Sequence, residues 1–190
     1  MEGLFEYEAV RWRMRKAASV FLRAEIYRRD VARMILWMEN PHVVRYLNEE
    51  HHVVQSLRTL MATTPESLLA LQLNRTGRFL LICGKDDRAI GFVKLKPLRP
   101  GCHEIVFVIG EEGLWGNGYG RAAIEAALSM AFLEWRADEI IARIDPQNLR
   151  SIGAASACGL TCTSDAGRLH IYAMTFDGYL ARAREQRKEA

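Results

Sequence analysis

Three glycines in Gly116-Asn117-Gly118-Tyr119-Gly120 sit where an apolar, strand-like run meets an alanine-rich, helix-like run, and this junction constrains the chain more than any other stretch. Glycine admits positive φ and lets backbone N–H groups approach a ligand with no Cβ in the way. The helix that follows points its first amides and its partial positive charge back at the turn. Together these features form an anion site suited to a pyrophosphate, and Arg121 at the helix start adds a charge-assisted donor. The plain alternative is a surface turn that caps a helix and binds nothing. A P-loop is excluded, because no Gly-Lys-Ser/Thr follows. Gly118-x-Gly120-x-x-Ala123 fits the loose dinucleotide pattern, and Asp145 ends the next strand where a ribose-binding acid would sit. Against that reading, Glu111 to Trp115 separate the strand from the glycines. Only 45 residues follow Asp145, too few to complete a doubly wound sheet.

Hydrophobic periodicity places the turn within an alternating layout. Residues 20–27 read as an opening strand. Asp30 reads as the N-cap of a helix with Val31, Met34, Ile35 and Met38 on one face, stopped at Asn40-Pro41. A second helix is predicted over 53–63 and a further helical turn from Pro65 to Asn74. The period then changes. Residues 78–84 and 89–98 form a hairpin around Lys85-Asp86-Asp87-Arg88, closed at its far end by Pro97, Pro100 and Gly101. A third strand spans His103 to Ile109. After the glycines come a helix over 122–135, a strand over 139–144, a helix to Cys158 with Gly159 as its C-cap, and strands near 160–164 and 168–176. This order predicts an α/β fold with a mixed sheet, in which parallel pairing occurs only around the helix-strand-helix passage after His103.

A chain of 190 residues is one domain of ordinary size. Its 49% hydrophobic and 26% charged composition is that of a globular protein. A net charge of +3, without a basic stripe interleaved with aromatics, argues against nucleic acid. The basic stretches 11–16 and 182–188 read as solvated ends, and residues 1–19 and 177–190 as an N-terminal extension and a C-terminal tail. No apolar run approaches the roughly 18 residues that a membrane helix requires, and acidic residues in the first turn of chain are wrong for a signal peptide. Cys83, Cys102, Cys158 and Cys162 lack metal-ligand spacing and read as reduced core thiols of a cytoplasmic protein. No metal is expected.

At the level of motifs, Trp115-Gly116-Asn117-Gly118-Tyr119-Gly120 resembles the Gln/Arg-x-x-Gly-x-Gly/Ala signature of the GNAT superfamily of N-acetyltransferases, with Trp at the first position. The Trp-Gly-x-Gly-Tyr-Gly variant, together with Leu36 to Leu47, is similar to the branch containing ribosomal-protein N-terminal acetyltransferases and some aminoglycoside acetyltransferases. A second anchor, Asn148-Leu149-Arg150-Ser151 followed by Cys158-Gly159-Leu160, resembles the superfamily's Asn-x-x-Ser/Ala…Gly-Phe segment. The resemblance covers residues 20–176. It implies a mostly antiparallel mixed sheet flanked by helices, with splayed central strands. It also implies acetyl-CoA as cosubstrate, a primary amine of a small molecule or a protein N-terminus as acceptor, and a homodimer as a family expectation. Phe107, Val108 and Ile109 would face the pantetheine arm. Gly116, Gly118, Gly120 and Arg121 would hold the pyrophosphate within the stretch Trp115 to Arg121, and Asn148 would contact the coenzyme from the next helix.

Acetyl transfer from a thioester to an amine needs a neutral amine, a donor for the carbonyl oxygen and, in many enzymes, a proton for the thiolate. Glu104 is the candidate base, because Glu104-Ile105-Val106-Phe107 resembles the strand that carries the catalytic glutamate in histone acetyltransferases of the superfamily. The alternative is a strand-start glutamate in solvent. Glu49 and Glu50 either attract a cationic amine or belong to an exposed loop with His51 and His52. The N–H of Val108 or Ile109 is the candidate oxyanion donor. Relatives place a Tyr seven residues after the Asn as general acid, and here that position is Ala155. Ser151 and Ser156 are substitutes, although a thiolate also leaves without a dedicated acid because thiol pKa values lie near about 8.5. Two other function classes remain: a coenzyme-binding sensor on the same fold, and a nucleotide-binding oxidoreductase.

Overall fold

The computed structural model describes residues 18–47, 52–165 and 167–188. Glu49, Glu50 and His51, and the basic stretch 11–16, lie outside the described residues. The strands are β1 (Phe21–Arg23), β2 (Arg78–Cys83), β3 (Ala89–Arg99), β4 (Cys102–Ile109), β5 (Glu139–Ile144), β6 (Thr161–Ser164) and β7 (His170–Thr175). They form one sheet in the order β1-β2-β3-β4-β5-β7-β6. All neighbours pair antiparallel except β4 and β5, so the parallel step falls where the pattern of elements put it.

One face of the sheet carries α1 (Arg28–Glu39), α2 (Pro41–Val44), α3 (Val53–Thr63) and α4 (Leu69–Leu73). Helix α1 buries Val31, Met34, Ile35 and Met38 as their spacing predicts, and also Trp37. These side chains pack on Phe79, Leu81, Phe92 and Val108 of the sheet. Asp30 is not the N-cap. The helix starts at Arg28 with Tyr27 as N-cap, three residues earlier than expected, and Asp30 reaches back as an N3 residue to accept from the Tyr27 amide at 2.9 Å and from buried Arg23 at 2.9 Å. The reciprocal carboxylate of a capping box has the same physical origin as an N-cap, an orphan amide at the helix start. Asn40 ends α1 and accepts from the His42 amide, with Pro41 as first residue of α2.

The other face carries α5 (Tyr119–Ser129) and α6 (Leu149–Ala157). Their Ala123, Ala127 and Ala155 allow close approach to Ile105, Ile140 and Ala142 of the sheet. Helix α5 starts three residues before the expected position, because Gly118 adopts φ +84° and turns the chain straight into it. It ends in a wider turn over Met130–Glu134. The expected C-terminal tail is instead helix α7 (Phe176–Lys188). Its charge-rich sequence shows little periodicity, yet the Tyr179 ring packs tilted against Phe132 at 5.1 Å and Arg182 bonds to Glu125 and to the Ala157 carbonyl. Pro97 lies inside β3 rather than closing the hairpin, opposite His103.

Cys83, Cys102 and Cys158 are buried as expected, whereas Cys162 is exposed because edge strand β6 has no cover on that side chain. Burial, with Glu125 nearby, pushes the Cys158 thiol up to about 12 and keeps it neutral. No helix among the described residues is long and apolar enough to cross a membrane.

Candidate active site

Hydrogen-bond direction along β4 creates the site. The Gly110 amide donates to the Ile90 carbonyl on β3 at 2.9 Å. In an extended strand, alternate residues turn their polar groups to opposite sides, so even-numbered residues of β4 face β3 and odd-numbered ones face β5. Two observations agree. The Gly101 carbonyl accepts from Asp138 and Glu139 on the β5 side. Pro97, which has no N–H to give, sits opposite odd-numbered His103, where no ladder bond is required of it.

The β4–β5 ladder runs only from Cys102↔Glu139 to Glu104↔Ile141. Beyond it both strands continue without pairing, which is the expected splay. The main-chain groups of Phe107 and the N–H of Ile109 therefore face an open cleft rather than a neighbouring strand. Of the two amides expected to act as oxyanion donor, that of Val108 turns into the ladder with Phe92, and that of Ile109 points into the cleft.

The cleft is part of a cavity of about 610 Å³. Its walls come from both faces of the sheet, so the space passes through the sheet at the splay. On the α5/α6 side it is lined by Trp115, Gly116, Gly118, Tyr119, Gly120 and Arg121 and by Asn148 and Ser151, with Phe107 and Ile109 at the split. On the α1/α2 side it is lined by His42, Val43, Tyr46 and Leu47, with Lys96, Glu104 and Val106. Of the residues expected to bind coenzyme or catalyse, the cavity brings together Glu104, Phe107 to Ile109, Trp115, Gly116, Gly118 to Arg121, Asn148 and Ser151, but not Asn117, whose side-chain amide bonds back to the Gly113 carbonyl at 3.4 Å. Ser156 is exposed and outside it.

Gly116 and Gly118 have φ of +74° and +84°, so the left-handed turn needs them. Gly120 has helical geometry. A Cβ there would meet Ala154, Ile109 and Phe107 at 3.9–4.0 Å, an ordinary packing distance. Trp115 donates its indole N–H to the Ile109 carbonyl at 2.7 Å. That carbonyl is the last odd-numbered acceptor in the cleft, so the indole closes the end of the splay. Gly110 lies against the Trp37 ring, where a Cβ would come within 2.2 Å of ring carbons. Glu111 accepts from Arg33, Trp37 and Arg88. The turn is thereby fastened to α1.

Glu104 is not a solvated strand-start residue. Its side chain is 13% exposed, and Oε2 accepts from Arg143 Nη1 at 3.1 Å. Asn148 caps α6 by accepting the Ser151 amide at 3.2 Å, which commits its side-chain oxygen to the helix. Arg121 is paired with Glu125 at 3.1 Å. Arg150 was not anticipated as a site residue. It lines the cavity, and its guanidinium lies 3.9 Å above the Trp115 ring. The signal was present as a cation two residues after Asn148, within the second motif. Among the described residues, no group of three His, Cys, Asp or Glu is arranged to hold a metal.

Comparison with known proteins agrees with this geometry. Residues 20–161 match the family described as Acetyltransferase (GNAT) domain. No curated protein sequence matches the chain. Among solved structures, the aminoglycoside acetyltransferase AAC(6')-Ib in complex with coenzyme A superposes with a TM-score of 0.68 at 19% identity, covering 87% of this chain and 99% of that one. Spermidine N-acetyltransferase from Vibrio cholerae, in complex with CoA and spermine, gives 0.68 at 17% identity, covering 85% and 98%. A GNAT-family acetyltransferase from Bacillus anthracis gives 0.68 at 17%, covering 85% and 98%. At these identities the structural likeness speaks for the fold, and the family match carries the assignment. The chain belongs to the GNAT acetyltransferase domain family and is an acetyl-CoA-dependent N-acetyltransferase.

Proposed function

We propose that residues 1–190 form a single acetyltransferase domain that moves the acetyl group of acetyl-CoA directly to a primary amine of a small molecule or of a protein N-terminus. In this reading the pyrophosphate rests on the amides of residues 116–121, and the pantetheine arm takes the strand position that β5 vacates beside Phe107 and Ile109. The thioester then lies at the sheet split, with the Ile109 N–H as donor to its oxygen. The amine enters from the α1/α2 side. Glu104 takes its proton, directly or through a water, as nitrogen attacks the carbonyl carbon. The C–S bond breaks and the thiolate leaves as coenzyme A. Ser151, a motif residue that lines the cavity, supplies the proton to sulfur in this reading, given Ala155 at the usual tyrosine position.

The carrying observation is the continuity of the cavity: unpaired main-chain groups of β4 and the partly buried Glu104 carboxylate line the same space from opposite faces of the sheet. Arg143 orients that carboxylate and leaves the other oxygen for the amine. The Trp-Gly-x-Gly-Tyr-Gly variant supports the branch of ribosomal-protein N-terminal and aminoglycoside acetyltransferases. The two named neighbours that act on aminoglycosides and spermidine support an amine acceptor. Glu104→Gln tests the base. It should lower kcat on a responsive amine by about 10²- to 10⁴-fold while leaving coenzyme affinity unchanged, with the deficit shrinking as pH rises and free amine accumulates. Unchanged turnover would remove Glu104 from the mechanism.

A further inference from the structure

Arg150 holds an unusual position for an arginine at the rim of a cavity. Its guanidinium carbon sits 3.9 Å over the centre of an indole ring, and among the described residues no carboxylate pairs with it. The neighbouring arginine, Arg121, is neutralised by Glu125, and Arg143 by Glu104. The cation–π contact holds the guanidinium over the ring, and its N–H donors suit an oxyanion. The platform is itself fixed, because the Trp115 N–H is bonded to the Ile109 carbonyl at 2.7 Å. The cation is thus held in place before any ligand arrives, in the first turn of α6 and on the wall of the cavity that the glycine turn also lines.

We propose that Arg150 is a phosphate ligand of the coenzyme, and that Trp115 is the positioning residue that holds it. This rests on the coenzyme occupying the cavity as described above. Two phosphates of coenzyme A share the required chemistry, the pyrophosphate and the 3′-phosphomonoester. The assignment shifts the side-chain charge at this site from Arg121, expected as a donor from its place at the helix start, to α6. It gives the Trp of the variant signature a task that glutamine cannot perform, since glutamine has no ring on which to seat the cation.

Calorimetric titration with coenzyme A, and turnover with S-acetylpantetheine, which carries neither phosphate, test this together. Arg150→Ala should weaken coenzyme A roughly ten- to hundredfold, the range expected for a lost charged hydrogen-bond pair, and leave S-acetylpantetheine turnover within about twofold of wild type. Arg150→Lys keeps the charge but loses the planar stack, and should fall between the two. The Arg150→Ala effect should shrink in a Trp115→Leu background, because the two residues act as a unit. With 3′-dephospho-coenzyme A, a vanished penalty assigns the 3′-phosphate and a retained one assigns the pyrophosphate. Equal coenzyme A affinity in wild type and Arg150→Ala, or an equal loss with S-acetylpantetheine, overturns the proposal. If wild type itself gives no heat with coenzyme A, it is the reading of the cavity that has failed.

Discussion

The two mouths of the cavity are built from different materials. On the α5/α6 side the working parts are backbone: left-handed glycines, helix amides, and strand groups that β5 has left unpaired. On the α1/α2 side they are side chains, His42, Tyr46, Lys96 and Glu104, projecting from α2, from the turn after it and from the sheet. A diphosphate is the same in every molecule of coenzyme, so a fixed set of main-chain donors suits it. An acceptor amine differs from enzyme to enzyme, and side chains on loops and short helices are the part of a fold that varies most freely. The difference predicts that substitutions on the first side act through conformation, and those on the second through chemistry and shape.

The largest expected effect breaks the first side. Gly118 adopts φ +84°, a region that costs a β-branched residue about 1–3 kcal/mol. Gly118→Val should therefore tilt the turn amides away from the ligand. Coenzyme A affinity should fall by more than about a hundredfold in calorimetry, while circular dichroism reports a folded protein. Tyr46→Ala probes the second side. It removes a wall that the coenzyme side does not share, so KM for the amine should rise by roughly tenfold, consistent with the loss of one apolar contact surface, with KM for acetyl-CoA unchanged. The smallest effect sharpens the comparison within the turn. Gly120 has helical geometry and room for a Cβ, so Gly120→Ala should change coenzyme affinity by less than about twofold. A large loss there would mean that glycine serves this turn by smallness rather than by its dihedral freedom.

The same contrast explains what could be read from sequence. The turn was legible because glycine at positive φ leaves a mark in composition. Elements with clean periodicity, such as β5 at 139–144 and α3 at 53–63, have the expected bounds. Which amide faces the cleft was not legible, because it depends on the hydrogen-bond parity of β4 against β3, a property set by pairing between distant segments. The pairing of Glu104 was equally hidden, since Arg143 comes from the next strand over. The start of α1 was misplaced because Asp30 satisfies the same orphan amide from inside the helix that an N-cap satisfies from outside. Helix α7 was missed because a few anchored residues, Phe176, Tyr179 and Arg182, hold it in place of a continuous apolar stripe.

The central claim is that the coenzyme arm replaces β5 along the odd-numbered edge of β4. Amide hydrogen exchange resolved by residue, with and without coenzyme A, tests it most directly. Protection should rise at Ile109 and Phe107 and stay level at Val108, whose amide is already bound into the ladder with β3. Protection that rises at Val108 instead, or at none of the three while the coenzyme is demonstrably bound, would contradict the account.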